Sequence, residues 1–440
     1  MNEHRSSPIL CIGIDIGKRR HVVGFVSQAL LMRYGRFDAC PTDRLEPTAQ
    51  SLETLLARIE QHIPLERCAF LLEHTGHYHR TLEQALLGRG LDVYIIAVHA
   101  RHTYADKNDR ADSLRLANLL YSQLVLGVQE IDPTARIRKL HPPSPTAAEL
   151  SYLVRRRHEI IQDCTRRKNK LTAIVDELFP EFTSVFRNPN LPQALAVREA
   201  FPCPAALAAA SSDQLCQVSE KVRPAKLRKL QDLAATSLGT TDPHRQAGLI
   251  LEQRQLIIEL KMLEQHREVI DQTITRAVET SREGQILLSF RGCLGPPSAA
   301  IILAAIGSIQ NFETAAQLKK FCGWAPQSTQ TGISLDRMAL TKAGARLLKQ
   351  TVFLAALHAI RLDGEWKQLY ERLVPLKCTY DARTGTYKGR MRVVGRICGD
   401  FIERIYILLK RDAELLAATP AGEQPKAPQL YDPDHRQGRG

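Results

Sequence analysis

The first 125 residues switch repeatedly between two apolar periods. ILCIGIDIG (9–17) is a short β-branched run bounded by glycine, and HVVGFVS (21–27) and LMRYGRFDA (31–39) follow at hairpin spacing, which predicts three successive strands. SLETLLARIEQHI (51–63) instead repeats its apolar residues every three to four positions and predicts a helix. CAFLLE (68–73) and LDVYIIAV (91–98) return to the strand pattern, with a helix between them across HRTLEQALLGRG that closes at glycine. YADKNDRADSLRLANLL (104–120) then turns from a charged loop into a helix with Leu114, Ala117 and Leu120 on one side. Three antiparallel strands followed by two crossover units predict a mixed sheet of the ribonuclease-H-like α/β plan over residues 1–130.

Strand patterns nearly vanish between 145 and 284. AAELSYLVRRRHEIIQDCTRRKNKLTAIVDELF brings Leu150, Leu153, Ile160, Cys164 and Leu171 near one stripe of a long helix. A second long helix, GLILEQRQLIIELKMLEQHREVIDQTITRAV (248–278), can pair with it as an antiparallel coiled-coil arm, leaving an insert of short helices between. Residues 285–412 predict a third, mainly α domain, and the Pro, Gly and charge of 413–440 a disordered tail.

Length and charge narrow the function. A chain of 440 residues suggests two or three domains. A net charge of +13 is a common mark of a protein that works on a polyanion. No apolar run approaches the length of a membrane span, and MNEHRSSPILCIG lacks a secretory h-region, so the expectation is a cytoplasmic protein without a membrane partner. The ten cysteines are scattered with no C-x-x-C spacing and read as reduced, mostly buried small hydrophobes. Arg155, Arg156 and Arg157, then Arg166, Arg167 and Lys168, read equally as a solvated helix face or as phosphate contacts.

Four carboxylates stand out. Asp15 ends the first predicted strand, Glu73 ends CAFLLE, and Asp109 and Asp112 are three apart at the start of a helix. Singly, each has an ordinary reading: a turn residue, a neighbour of a helix cap, or acidic residues complementing the dipole of a first turn. In a ribonuclease-H-like sheet the ends of the first and fourth strands are adjacent and the last helix starts across them. The four would then converge on a site for two Mg²⁺ ions about 4 Å apart. A D-x-G after a strand also fits an actin- or sugar-kinase-like ATPase. That class needs further glycine-rich phosphate and adenosine loops, and this chain has no Gly-Gly dipeptide.

GIDIGK, LLEHTGHY and KNDRADSLRLA, followed by GWAPQSTQTG and LTKAGARLLKQ, resemble in order and spacing the DEDD transposases of insertion sequences, the IS110 family, kin to the Piv DNA invertases. The resemblance covers almost the whole chain. It implies a RuvC-like nuclease domain, a coiled-coil arm and a C-terminal transposase domain. It also implies a site-specific recombinase of donor and target double-stranded DNA at the bacterial nucleoid, guided by a structured non-coding RNA and working as a dimer to tetramer. In that family a serine just before a glycine attacks the scissile phosphate. The matching step here is Gln330-Thr331-Gly332, so Thr331 takes the role, with Ser328 and Ser334 as alternatives. Threonine keeps the hydroxyl but adds a methyl on the attacking carbon, which crowds an in-line approach.

Arg337, Lys342, Arg346 and Lys349 are read as lying on or near the following helix, either for solubility or beside the oxygens of the attacked phosphate. RGCLGPPSAA resembles the turn of a helix-hairpin-helix, although Pro296 and Pro297 equally suit simple helix initiation. Trp324 is read as a core residue or a base-stacking platform. A Holliday-junction-type resolvase would need the carboxylates without the hydroxyl. A non-catalytic nucleic-acid-binding derivative would need neither.

Overall fold

The computed structural model describes residues 10–73, 77–96, 108–128, 137–220, 222–331, 335–340, 344–362, 364–420 and 422–433, with backbone alone at 219 and 326–340. The chain divides into two compact units, residues 1–144 with 306–318, and residues 145–305 with 319–440. The third predicted domain is thus interrupted. Residues 306–318 join the first unit, where Ser144 N–H donates to the Gly307 carbonyl (3.0 Å) and His141 N–H to Asn311 Oδ1 (3.0 Å).

The first unit is built on a six-stranded mixed sheet in the order β3-β2-β1-β4-β5-β6. Its strands are β1 (Leu10–Asp15), β2 (His21–Val26), β3 (Thr42–Leu45), β4 (Cys68–Glu73), β5 (Asp92–Ile96) and β6 (Ile137–Lys139). β4 runs parallel to both β1 and β5, and the other pairs are antiparallel. The helices are α1 (Gln28–Tyr34), α2 (Ala49–Glu60), α3 (His79–Leu87) and α4 (Asp109–Leu124). The expected strand at 31–39 is a misreading of α1. Ser27 Oγ caps the helix by accepting from Leu30 N–H (3.2 Å), Gly35 ends it at φ 74°, and the third strand follows at Thr42. β6 was absent from the expected order, being only three residues long.

Period-two alternation sorts the sheet's side chains. Ile12, Ile14, Phe70 and Leu72 face Leu52, Leu55, Leu56, Leu82 and Leu86 of α2 and α3. Cys11, Ala69, Leu71 and Ile96 face Leu116, Ala117, Leu120 and Tyr121 of α4.

The second unit opens with α5 (Pro145–Leu178) and closes the arm with α10 (Pro243–Thr280). Ile160, Cys164, Leu171 and Ile174 pack on Leu256, Ile257, Leu260 and Leu263. The ion pairs between them are Arg157 with Asp271, Lys168 with Glu264, Arg167 with Glu259, Lys170 with Glu252 and Glu177 with Arg245. From Arg157 to Glu177 the partner number drops from 271 to 245, so the helices are antiparallel. The insert holds α6 (Pro192–Ala200), α7 (Pro204–Ala208), α8 (Ser212–Ser219) and α9 (Pro224–Ala234). It is tied to the arm by Arg198, only 2% exposed, whose guanidinium donates to Gln253 Oε1 (2.9 Å), the Leu171 carbonyl (2.7 Å) and the Pro189 carbonyl (3.2 Å).

The remaining helices are α11 (Arg282–Leu288), α12 (Pro296–Ile306), α13 (Ala315–Phe321), α14 (Arg346–Arg361), α15 (Glu365–Lys377) and α16 (Arg390–Ala418). They are joined by the two-stranded ribbons β7 (Pro326–Thr331) with β8 (Leu335–Leu340) and β9 (Thr379–Asp381) with β10 (Thr386–Lys388). α12 begins at Pro296 and Pro297, as expected for helix initiation.

Phe401 of α16 meets Phe290 (5.1 Å between ring centroids) and the buried Trp366 (5.6 Å). The predicted tail from 413 differs from expectation. α16 continues to Ala418, and farther on the Tyr431 ring stacks on Phe290 (4.2 Å), its phenol donating to Glu365 Oε1 (2.6 Å). An aromatic anchor outweighs the polar composition around it.

Candidate active site

The parallel register of β1 and β4 pairs Ile14 with Leu72, so the next positions, Asp15 and Glu73, end adjacent strands side by side. Alternation decides which way they face. Asp15 is in phase with Cys11 and Gly13, and Glu73 with Ala69 and Leu71, which is the α4 side of the sheet. Neighbouring strands are about 4.8 Å apart, so the two carboxylates emerge beside each other. Both are half-buried. The loop after Asp15 is held tight. Gly17 N–H donates to Nδ1 of the buried His21 (3.3 Å), and a Cβ at Gly17 would lie 2.2 Å from the Arg20 carbonyl oxygen.

α4 brings the other pair. Asn108 caps it, its Oδ1 accepting from Arg110 N–H (3.0 Å), so Asp109 and Asp112 occupy the first turn. The helix is seated on backbone rather than on side chains. Gly13 and Gly24 are cross-strand partners, and a Cβ on Gly13 would lie 2.2 Å from the Ser113 carbonyl oxygen and 2.3 Å from Ala117 N. A Cβ on Gly24 would lie 2.8 Å from Leu114 N. The residue after Asp112 therefore rests on the residue two before Asp15. These glycines, which sequence reasoning did not single out, set the height of the helix over the sheet. Their only sequence signal is two glycines inside strands otherwise rich in β-branched residues.

Asp112 is not idle: its carboxylate accepts from Arg115 (2.8 Å). Among the described residues no three His, Cys, Asp or Glu side chains lie close enough together to hold a metal ion. The segments flanking the carboxylates, 74–76 and 97–107, are outside the described residues. The donor chemistry itself, oxygen ligands only, suits a hard divalent cation.

The hydroxyl candidates lie on the first ribbon. Thr331 ends β7 and pairs with Leu335 of β8, and Ser328 pairs with Met338. Positions 329 and 331 share one side of the ladder's alternation, and 328 the other. Ser334 and Lys342 lie outside the described residues. Arg337, expected on or near a helix, is in β8 opposite Thr329. The polar QSTQT run lacks the apolar alternation that announces a strand, so the ribbon has no clear signal in the sequence. Arg346 and Lys349 are in the first turns of α14, with Arg346 exposed. Gly344, at φ 99°, leads into that helix against the Phe321 carbonyl, where a Cβ would lie 2.8 Å away. Trp324 is core: its indole N–H donates to the Lys349 carbonyl (3.3 Å) and its ring stacks on Phe353.

On the arm, Arg157, Arg167 and Lys168 are occupied by the interhelical ion pairs given above. Arg155, Arg156 and Arg166 are exposed. Their contacts are local: Arg155 over the Tyr152 ring, Arg156 with Glu159 and Arg166 with Asp163.

Two family models match the chain. Residues 12–180 match the DEDD transposase model of IS110, and residues 284–371 match the transposase model of the IS116/IS110/IS902 family. The first match includes all four carboxylates and the second includes Thr331. The chain belongs to the IS110 family of DEDD transposases. An insertion element IS110 uncharacterized 43.6 kDa protein of Streptomyces coelicolor is 27% identical over 243 residues. That alignment covers 54% of this chain and 59% of the relative's length. In the described part of this family member no helix is long and apolar enough to cross a membrane.

Proposed function

We propose that this transposase is a DNA recombinase of an insertion sequence that cuts and rejoins donor and target duplexes through a site in two halves. The observation that carries the reading is the pairing of Asp15 with Glu73 at adjacent strand ends, on the side where Gly13 and Gly24 seat the helix that starts with Asp109 and Asp112. We read this sheet as ribonuclease-H-like, specifically RuvC-like, and the α5–α10 arm as a coiled coil. Asp15, Glu73, Asp109 and Asp112 would hold Mg²⁺, which when bound stabilises charge on the attacked phosphate and its leaving oxygen. Arg115 pairs with Asp112, so a cation held there would share that carboxylate with the guanidinium.

The Thr331 hydroxyl is the proposed nucleophile. Its Oγ forms a bond to phosphorus as the P–O3′ bond breaks, leaving a free 3′ hydroxyl and a 5′ phosphate on the protein. Attack by another 3′ hydroxyl reverses the step, restores Thr331, and needs no ATP because one phosphodiester replaces another. Arg346, exposed at the start of α14, supplies positive charge in the same domain.

Partner choice belongs to the same proposal. A net charge of +13 favours DNA and a structured guide RNA as joint ligands in the nucleoid. Self-association is favoured by a second stripe on α10. Leu251, Ile258, Met262 and Val269 are all exposed at heptad spacing, away from the buried stripe that faces α5.

Mass spectrometry of protein trapped on a nicked substrate tests the chemistry. An adduct on Thr331 that Thr331→Ala abolishes and Thr331→Ser retains is the expected result. An adduct on Ser328 or Ser334 moves the nucleophile, and cleavage with no adduct at any position replaces the recombinase by a resolvase.

A further inference from the structure

The segment joining α15 to α16 takes no part in either half of the site, yet it concentrates charge. From Trp366 to Arg396 the sequence has eight Lys or Arg and two Asp or Glu. The two helices enclose a groove of about 830 Å³ whose lining includes Arg372, Lys377, Arg392 and Arg396. Arg396 is paired with Asp400 (3.1 Å), whereas Arg372, Lys377 and Arg392 are exposed and make no ion pair among the described residues.

The β9–β10 ribbon adjoins both helices in sequence. Its cross-strand pair Tyr380 and Tyr387 share one face, ring edge to ring face at 5.1 Å. Tyr387 is half-buried and props Tyr380, which is 57% exposed. The other face of the ribbon has Lys388 paired with Asp381 (2.6 Å). Leu376 (71% exposed) and Met391 (59%) lie just before and after the ribbon. Aromatic pairs do stabilise two-stranded ribbons on their own account. That role explains Tyr387 but not the exposure of Tyr380, three residues after the exposed Lys377 of the groove.

We propose that the α15–α16 groove and this ribbon hold an unpaired DNA strand, with phosphates along Arg372, Lys377 and Arg392 and one base stacked on Tyr380. A cationic track with an aromatic platform is the pattern that grips single strands without reading sequence. The argument for DNA rests on the recombinase reading above. Strand exchange frees single-stranded ends of differing sequence, and such ends need a grip on backbone and ring face rather than on base edges. A guide RNA, whose sequence is constant, would be held by edge contacts and by its 2′ hydroxyls.

Fluorescence anisotropy in EDTA, with the full chain and an unstructured oligodeoxynucleotide of about 15 nucleotides, tests this apart from any cleavage. Tyr380→Ala and Tyr380→Val should each weaken binding by about tenfold while Tyr380→Phe binds as the parent does. Valine maintains strand packing, so a loss in both variants separates the ring's stacking from its support of the ribbon. Changing Arg372, Lys377 and Arg392 to Gln should lower the log–log salt slope by about 2. Parental affinity in Tyr380→Val, equal losses on duplex DNA, or tighter binding of the matching RNA oligonucleotide would each overturn the assignment. Because affinity is read on oligonucleotide verified to be uncut, a failed recombinase reading would show as missing cleavage or adduct in separate assays, leaving these affinities unaffected.

Discussion

The two halves of the proposed site rest on unlike foundations. Asp15 and Glu73 end strands whose preceding residues are buried on both sides, and α4 is fixed above them by backbone contact at two glycines. Thr331 ends a two-stranded ribbon, paired by register to β8 alone. The difference teaches where precision comes from. A buried sheet fixes the direction of every side chain through its period and its packing on two sides, whereas a lone two-stranded ribbon fixes only its own register.

The largest effect that can break this comparison is chemical. Asp109→Asn should lower strand cleavage by on the order of 10³-fold. Asp109 is exposed, so the melting temperature should stay within a degree or so. Cleavage that survives in this variant or in EDTA would remove the carboxylate half altogether.

Gly13→Ala sharpens the contrast by attacking the foundation. Its methyl meets the Ser113 carbonyl at 2.2 Å, and the forced shift of α4 should cost about 3 kcal/mol and displace Asp112. Gly248→Ala is the control: nothing lies within 4 Å of its Cβ, and helix propensity predicts a gain of about 0.5–1 kcal/mol. Thermal melts of the two variants should move in opposite directions, with cleavage lost in the first alone.

Arg198→Leu probes the other unit. It deprives Gln253 and the Leu171 and Pro189 carbonyls of their donors and should cost about 3 kcal/mol in urea unfolding. A neutral result would mean that the insert is held to the arm by apolar packing alone.

Salt titration of nucleic-acid binding separates the arm's cations. Arg155, Arg156 and Arg166 changed together to Ala should lower the log–log slope by about 2–3. Changing Arg157, Arg167 and Lys168, which face acidic residues of α10, should lower stability and leave the slope nearly as it was.

The smallest effect concerns pH. Burial holds the His21 pKa below its ordinary 6.5, so the unfolded chain binds the proton more readily. The first unit's stability should be full above about pH 6.5 and decline as pH falls below it, with Gly17 N–H losing its acceptor. His21→Asn, which retains an acceptor, should flatten that decline.

How much of this was legible follows the same divide. ILCIGID and CAFLLE announce buried strands by composition, and the sequence alone marks their last residues as candidate ligands. α1 was missed because LMRYGRFDA is apolar enough to pass for a strand, although Ser27 and Gly35 are a cap and a stop. The interhelical role of Arg157 and Arg167 was hidden because their partners lie 92 to 114 residues away. The glycine seat was invisible for a related reason: a sequence shows a missing side chain but not which helix crosses there. Tyr431 looked like part of a disordered tail because composition averages over neighbours, while docking depends on one ring.

Both tryptophans of the chain, Trp324 and Trp366, are buried in the second unit, and the sheet unit has none. Intrinsic tryptophan emission is therefore a built-in reporter of the second unit alone, whereas far-ultraviolet circular dichroism sees both. If the two signals trace different denaturation midpoints, the units unfold separately and no single unfolding free energy describes the chain.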